Sequence, residues 1–223
     1  AGYRAFDFQG VFSAVFNFCT VELSAFYFDI RKDTLYCDGD SLRARSARTV
    51  MDLLFERLTT WLAPVLVFTM EDVWLSRFPD SEGSVHLTDM PETPMAWMDE
   101  ALAKKWSHVR RARRVVNAAL EVQRADKVIG ASLEAAPIVY VQDADMLAAL
   151  KSVPFEDICI TSAVSLTDNP ISDQAFRLPE IEGIGVEFEK AEGAKCERCW
   201  KILPDVGTHK HAGTCQRCSE ALG

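Results

Sequence analysis

No apolar run in this 223-residue chain reaches the roughly 20 residues that a membrane helix needs. The longest, such as Trp61 to Thr69, are broken by proline or polar residues. No transmembrane segment and no membrane partner are expected. The opening Ala1-Gly2-Tyr3-Arg4 lacks both a methionine and a basic-then-apolar leader, which predicts a cytoplasmic chain with a truncated start. Positive charge is scarce as well: 24 Lys and Arg stand against 33 Asp and Glu, a net charge of −9. That balance excludes a protein that coats nucleic acid indiscriminately and confines any such surface to a local patch. Neither an internal repeat nor a low-complexity tract is present.

What is present is apolar: 48% of the residues, enough to fill a core without disulfides. Seven cysteines are an odd count for a disulfide framework, and four of them form two Cys-x-x-Cys pairs in the last 30 residues. Cys196/Cys199 and Cys215/Cys218 are separated by 15 residues, a spacing that closes a tetrahedral four-thiolate site around one structural zinc ion. A shell of four cysteines leaves no position for water, so the ion holds a fold together. His209 and His211 lie between the pairs and could replace a cysteine, although four thiolates already suffice. Cys19, Cys37 and Cys159 read as small apolar residues.

Periodicity gives the rest of the fold. Phe12, Val15, Phe16, Cys19, Leu23 and Phe26 recur at helical steps and predict a helix over 9–28, followed by a polar break at 29–36. Asp40 or Ser41 caps a second helix through Trp61. Pro64 suits the first turn of a third, ending near Pro79, and a fourth runs from about Asp99 to Arg124 after a proline-rich loop at 79–98. After Gly130 the texture changes. Ile138–Val141 reads as strand, Asp143 caps a short helix through Lys151, and 157–164 and 186–189 read as further strands. The expected architecture is mainly α: an antiparallel helical bundle over 1–127, a small α/β module over 128–192 and a four-cysteine zinc finger over 193–223.

Local positive charge lies in two places. On the fourth helix Lys104, Arg111 and Arg114 fall opposite the apolar stripe of Leu102, Trp106, Val109, Val116 and Leu120, where they can meet phosphates. Arg113 and Arg124 fall within the stripe, so a carboxylate partner is expected for each. In the tail, Arg198, Lys201 and Arg217 are further candidates for phosphate contact, and Trp200 either packs on the back of the zinc site or stacks on a base. Glu71-Asp72 and Asp143 to Asp145 read as helix-surface charge and capping, and no catalytic constellation is found.

Several segments carry a family likeness. They are Phe26-Tyr27-Phe28-Asp29 with Lys32-Asp33-Thr34-Leu35-Tyr36, then Ala63-Pro64…Phe68-Thr69…Trp74, Gly130-Ala131-Ser132-Leu133-Glu134-Ala135 and Cys196-Glu197-Arg198-Cys199-Trp200-Lys201. Together they resemble the C-terminal part of bacterial-type isoleucyl-tRNA synthetases. The middle segments are shared with the valyl and leucyl enzymes, and the terminal Cys-x-x-Cys-Trp…Cys-x-x-Cys is similar to the isoleucyl zinc finger, itself related to the finger of formamidopyrimidine-DNA glycosylases. The resemblance implies that the bundle binds the anticodon arm of isoleucine tRNA, with no DNA partner, while catalytic and editing domains outside this sequence perform ATP-dependent aminoacylation. The His-Ile-Gly-His and Lys-Met-Ser-Lys-Ser type motifs of that chemistry are absent, so residues 1–223 are expected to be inactive alone. A zinc-stapled protein-interaction module is the alternative from another class.

Overall fold

The computed structural model describes residues 2–79 and 83–223. They form two compact units, one of residues up to Tyr36 with Asp40 to Trp97, the other of Cys37 to Gly39 with Met98 to Gly223.

The first unit is helical. The Asp7 carboxylate accepts the Gly10 amide at 2.8 Å and starts α1 (Phe8–Asn17). The chain continues through a widened π-helical segment, Phe18–Phe28, directly into α2 (Asp29–Cys37). The expected break at 29–36 is therefore absent, because the polar residues there support a helix: Asp29 and Lys32 pair at 3.1 Å one turn apart. The resulting rod, Phe8–Cys37, is 30 residues long and contains an 18-residue window with a mean hydropathy of 1.4. By length and composition alone it could cross a membrane, a test that the core helix of a soluble protein also passes, so it is not a clear membrane span. Phe8, Phe12, Phe16 and Phe18 are exposed along it, whereas Leu23 and Ile30 are buried.

The Ser41 hydroxyl accepts the Ala44 amide at 3.1 Å and caps α3 (Leu42–Leu62). Pro64 sits in the turn after it, and α4 begins later than expected, at Val67, ending at Arg77. The stretch after α4 is a loop with short 3₁₀ turns at Val85–Leu87 and Met95–Trp97; residues 80–82 of the expected loop lie outside the described residues. Val85 is buried against Ala63 and Met70, with Leu66, Val73 and Trp74 around it. Glu71 fixes that contact by accepting the Ser84 hydroxyl at 2.8 Å and the Val85 amide at 3.0 Å. A buried cation holds the loop's far end. Arg57, only 8% exposed, donates to the carbonyls of Leu53 (3.2 Å) and Glu92 (3.0 Å), and its guanidinium lies 4.8 Å from the centre of the Trp97 ring.

The second unit is organised by α5 (Glu100–Ala125), capped by Asp99 through the Leu102 amide at 2.8 Å. Its buried stripe is Val109, Ala112, Val115, Val116, Ala119 and Leu120, while Leu102, expected in the stripe, is exposed. The helix packs on α6 (Ala144–Lys151), α7 (Phe155–Cys159) and one strand of a three-stranded sheet. In that sheet β1 (Ile138–Val141) is central, parallel to β2 (Ser165–Thr167) and antiparallel to β3 (Ile184–Glu187). By its contacts the helix α5 groups with the α/β module.

Residues 157–164 contain the end of α7 instead of the expected strand. Pro154 precedes the first turn, and Glu156 and Asp157 favour its positive end. The left-handed Ile160 (φ 58°) then stops the helix. A helix this short with Phe155, Ile158 and Cys159 all buried leaves a run of apolar residues that has no helical signature.

Arg57→Ala is expected to destabilise the chain by about 2–3 kcal/mol in urea denaturation, since two charge-assisted hydrogen bonds disappear from a buried site. Arg57→Lys should recover only part of this, because an ammonium cannot donate as a fork while lying on Trp97.

Candidate metal centre and nucleic-acid interface

A two-stranded hairpin, β4 (Ala194–Lys195) with β5 (Ile202–Leu203), carries the first cysteine pair at its tip. Three backbone hydrogen bonds shape the knuckle: the Cys196 amide to the Lys201 carbonyl (2.8 Å), Trp200 to Cys196 (2.9 Å) and Glu197 to Gly213 (2.9 Å). Trp200 takes a left-handed conformation, φ 67°, to close the turn. Gly193, at φ 117°, is required where the hairpin starts, because a Cβ there would lie 2.3 Å from the backbone of Leu203. The second pair, Cys215 and Cys218, sits at the start of α8 (Gln216–Leu222).

All four cysteines are buried, and their sulfurs lie within 4.8 Å of one another, with Cys199 and Cys215 at 3.8 Å. A regular tetrahedron with Zn–S bonds of about 2.3 Å has edges of about 3.8 Å, so the separations suit one zinc ion. Their acidities point the same way. Burial opposes ionisation of Cys196, but the amides of Cys199, Cys215 and Arg198 outweigh it and bring the thiol down to about 6. Burial pushes Cys199 up to about 11, with the neighbouring thiols adding to it, and raises Cys215 and Cys218 as well. The cluster therefore favours a single thiolate by itself and needs a cation to hold four. His209 is engaged by Asp205 at 3.1 Å, and His211 donates its amide to Ser219; neither belongs to the ligand group. Asp205 also accepts the Gln216 amide at 2.7 Å, which holds its carboxyl below the usual range.

The six cations expected at phosphates divide by environment. Lys104 pairs with Asp145 (3.7 Å) and Arg114 with Glu180 (2.6 Å), both at the exposed surface of α5, where such pairs are worth about 0–1 kcal/mol and exchange easily for a phosphate. Among the described residues, Arg111 makes no ion pair, and its side chain is exposed. The three tail cations look inward. Lys201 pairs with Asp157 at 2.6 Å, the two side chains being 12% and 10% exposed. Arg198 donates to the Cys37 carbonyl, and Arg217 pairs with Asp38 at 3.1 Å. Arg113 donates to the Ile158 carbonyl at 2.8 Å, and Arg124 pairs with the Glu121 carboxylate as expected. Trp200 does not pack behind the zinc site: it is 61% exposed, with the Lys195 ammonium 5.7 Å from its ring centre.

A hydroxyl that the motifs did not single out joins the zinc hairpin to the α/β module. The Ser162 hydroxyl accepts the Ile202 amide at 2.7 Å and donates to the Leu133 carbonyl. Nothing local in the sequence marks it, since its partners lie 40 and 29 residues away.

Residues 1–140 match the family described as the anticodon-binding domain of tRNA ligase. The chain belongs to that family. Residues 193–221 match a second family, the zinc finger found in FPG and IleRS, which covers the four-cysteine site. The chain is 66% identical to the isoleucine–tRNA ligase of Ruegeria pomeroyi over 222 residues, all of this chain and 23% of that protein. Over 208 residues it is 53% identical to the enzyme of Agrobacterium fabrum and 50% identical to that of Brucella abortus, 93% of this chain and 21% of each. It thus spans less than a quarter of the length of these relatives.

Two outcomes are expected. Zinc binding at pH 7 should release about three protons, because Cys196 is largely ionised already and the other three thiols are not. The pH dependence of the zinc affinity should steepen towards four protons below about pH 6, as measured by competition with a chromophoric chelator. Separately, Lys201→Met should destabilise the chain by about 1–3 kcal/mol in urea denaturation, because it removes a cation that donates at 2.6 Å to a carboxylate only 10% exposed.

Proposed function

We propose that this chain is the tRNA-recognition portion of a cytoplasmic isoleucine–tRNA ligase, which grips the anticodon arm of isoleucine tRNA while domains outside this sequence activate isoleucine and charge the tRNA. The observation that carries the reading is the pairing, in one chain, of an anticodon-binding domain with the zinc finger found in FPG and IleRS. The isoleucine–tRNA ligases that match along 93–100% of this chain support it. Seven cysteines with no disulfide among the described residues suit a reducing compartment.

Binding on this reading is positioning. The exposed face of α5 offers Lys104, Arg111 and Arg114 to phosphates, with two of the three drawn from weak surface pairs. Trp200, exposed beside Lys195, offers a ring on which an unstacked anticodon base can lie, with a cation alongside for the backbone. Arg198, Lys201 and Arg217 contribute to the positive potential of the tail but have their heads turned to internal partners. A DNA-binding role like that of the glycosylase finger has no matching catalytic domain in the first 190 residues.

The test is the affinity of the zinc-loaded chain for isoleucine tRNA, valine tRNA and a DNA duplex at two salt concentrations. Isoleucine tRNA is expected to bind at least about tenfold more tightly, about 1.4 kcal/mol. Equal binding of both tRNAs would remove the isoleucine assignment, and no binding of any nucleic acid would favour a protein-interaction module. Arg111→Ala with Arg114→Ala should weaken binding to all tRNAs and lower the salt slope by about one for each phosphate no longer neutralised. An unchanged slope would remove both from the interface.

A further inference from the structure

The zinc cluster contains a fifth thiol. Cys37, the last residue of α2, is buried with Cys196, Cys199, Cys215 and Cys218, against Leu203 and Val206. Its thiol lies 3.6 Å from the Arg198 carbonyl and donates to it, and the Arg198 guanidinium donates back to the Cys37 carbonyl. The next residue, Asp38, has a carboxylate only 8% exposed that pairs with Arg217 at 3.1 Å. The third, Gly39, sits so close to α8 that a Cβ there would be 3.7 Å from the Cα of Ala221. Three consecutive residues are thus seated on the zinc finger, and by their contacts they belong to its unit.

Arg198 and Arg217 occupy equivalent places, each directly before the second cysteine of its pair, in Cys-Glu-Arg-Cys and Cys-Gln-Arg-Cys. In a nucleic-acid-binding finger, cations in such places would be read as phosphate contacts. Here each faces the loop between α2 and α3. The knuckle fixes where each arginine starts, since the neighbouring cysteines are zinc ligands, and the carboxylate of Asp38 would be costly to bury without its cation.

We propose that the zinc finger is a clamp on the loop Cys37–Gly39, with Arg198 and Arg217 as its two jaws. Zinc closes it by fixing both knuckles, and the Cys37 thiol is shielded only while the clamp is closed. Zinc occupancy thereby sets the order of the connection between α2 and α3. This goes beyond the tRNA reading and does not depend on it.

The test follows the alkylation of each cysteine in the full chain with N-ethylmaleimide by peptide mass spectrometry, with zinc content measured in parallel. In the zinc-loaded chain, Cys37 should be protected together with the four ligands. In zinc-loaded Arg217→Ala and Asp38→Asn, each still holding one zinc per chain, Cys37 should react roughly tenfold or more faster while the four ligands stay protected, as expected when a local opening becomes cheaper. Arg217→Lys should restore most of the protection. Amide exchange at 37–40 should rise in step. Cys37 equally protected in the zinc-loaded Arg217→Ala and Asp38→Asn variants, or still protected after chelation of the zinc, would overturn the clamp. So would a fall in tRNA affinity in Arg217→Ala without any change at Cys37, which would return the arginine to phosphate contact.

Discussion

Four thiols held within 4.8 Å of one another, all buried, do not share one small volume as anions without a cation between them. Much of the C-terminal structure follows from meeting that condition. The left-handed Trp200, the obligatory Gly193 and the short hairpin aim the first pair of sulfurs, and the start of α8 aims the second. A tail of about 30 residues has little apolar surface with which to order itself. The metal replaces the core it lacks, and Leu203, Val206 and Cys37 complete a thin apolar jacket around the sulfurs.

The helix α5 plays the corresponding part for the α/β module. Its buried side meets α6, α7 and β3, and its other side carries the cations that the acidic chain as a whole lacks. One element therefore supplies both the core of a module and a positive face. The packing residues Val109, Val116 and Leu120 set the rotation of the helix about its axis, and that rotation determines that Lys104, Arg111 and Arg114 point outward.

Features that depend on neighbours in the chain were readable in the sequence. The cysteine spacing, the cap Asp143, a cap at Asp40 or Ser41 of which the structure uses Ser41, and the strand Ile138–Val141 all rest on interactions spanning a few residues. The helix α7 was not readable, because a buried helix shorter than two turns shows no polar face, and the continuity of α1 through α2 was obscured by polar residues that pair within the helix. The roles of the tail cations were hidden for a different reason. Lys201, Arg198 and Arg217 find their partners 44, 161 and 179 residues away, and nothing in a local pattern distinguishes a cation that faces solvent from one that faces such a partner. The zinc site was legible and its attachment to the rest of the chain was not.

The Lys201–Asp157 pair and the Ser162 hydroxyl also set a limit on modularity. A four-cysteine finger looks like a portable cassette, complete once its ligands are present. Transplanted alone, residues 193–221 would arrive with a lysine adapted to a buried counter-charge and with the Ile202 amide adapted to a hydroxyl, both supplied by another segment. Any host fold would have to provide an acidic residue and a hydroxyl in the same relation. Exchange of this finger between unrelated proteins is therefore constrained less by its metal than by the two polar sockets on the module that receives it.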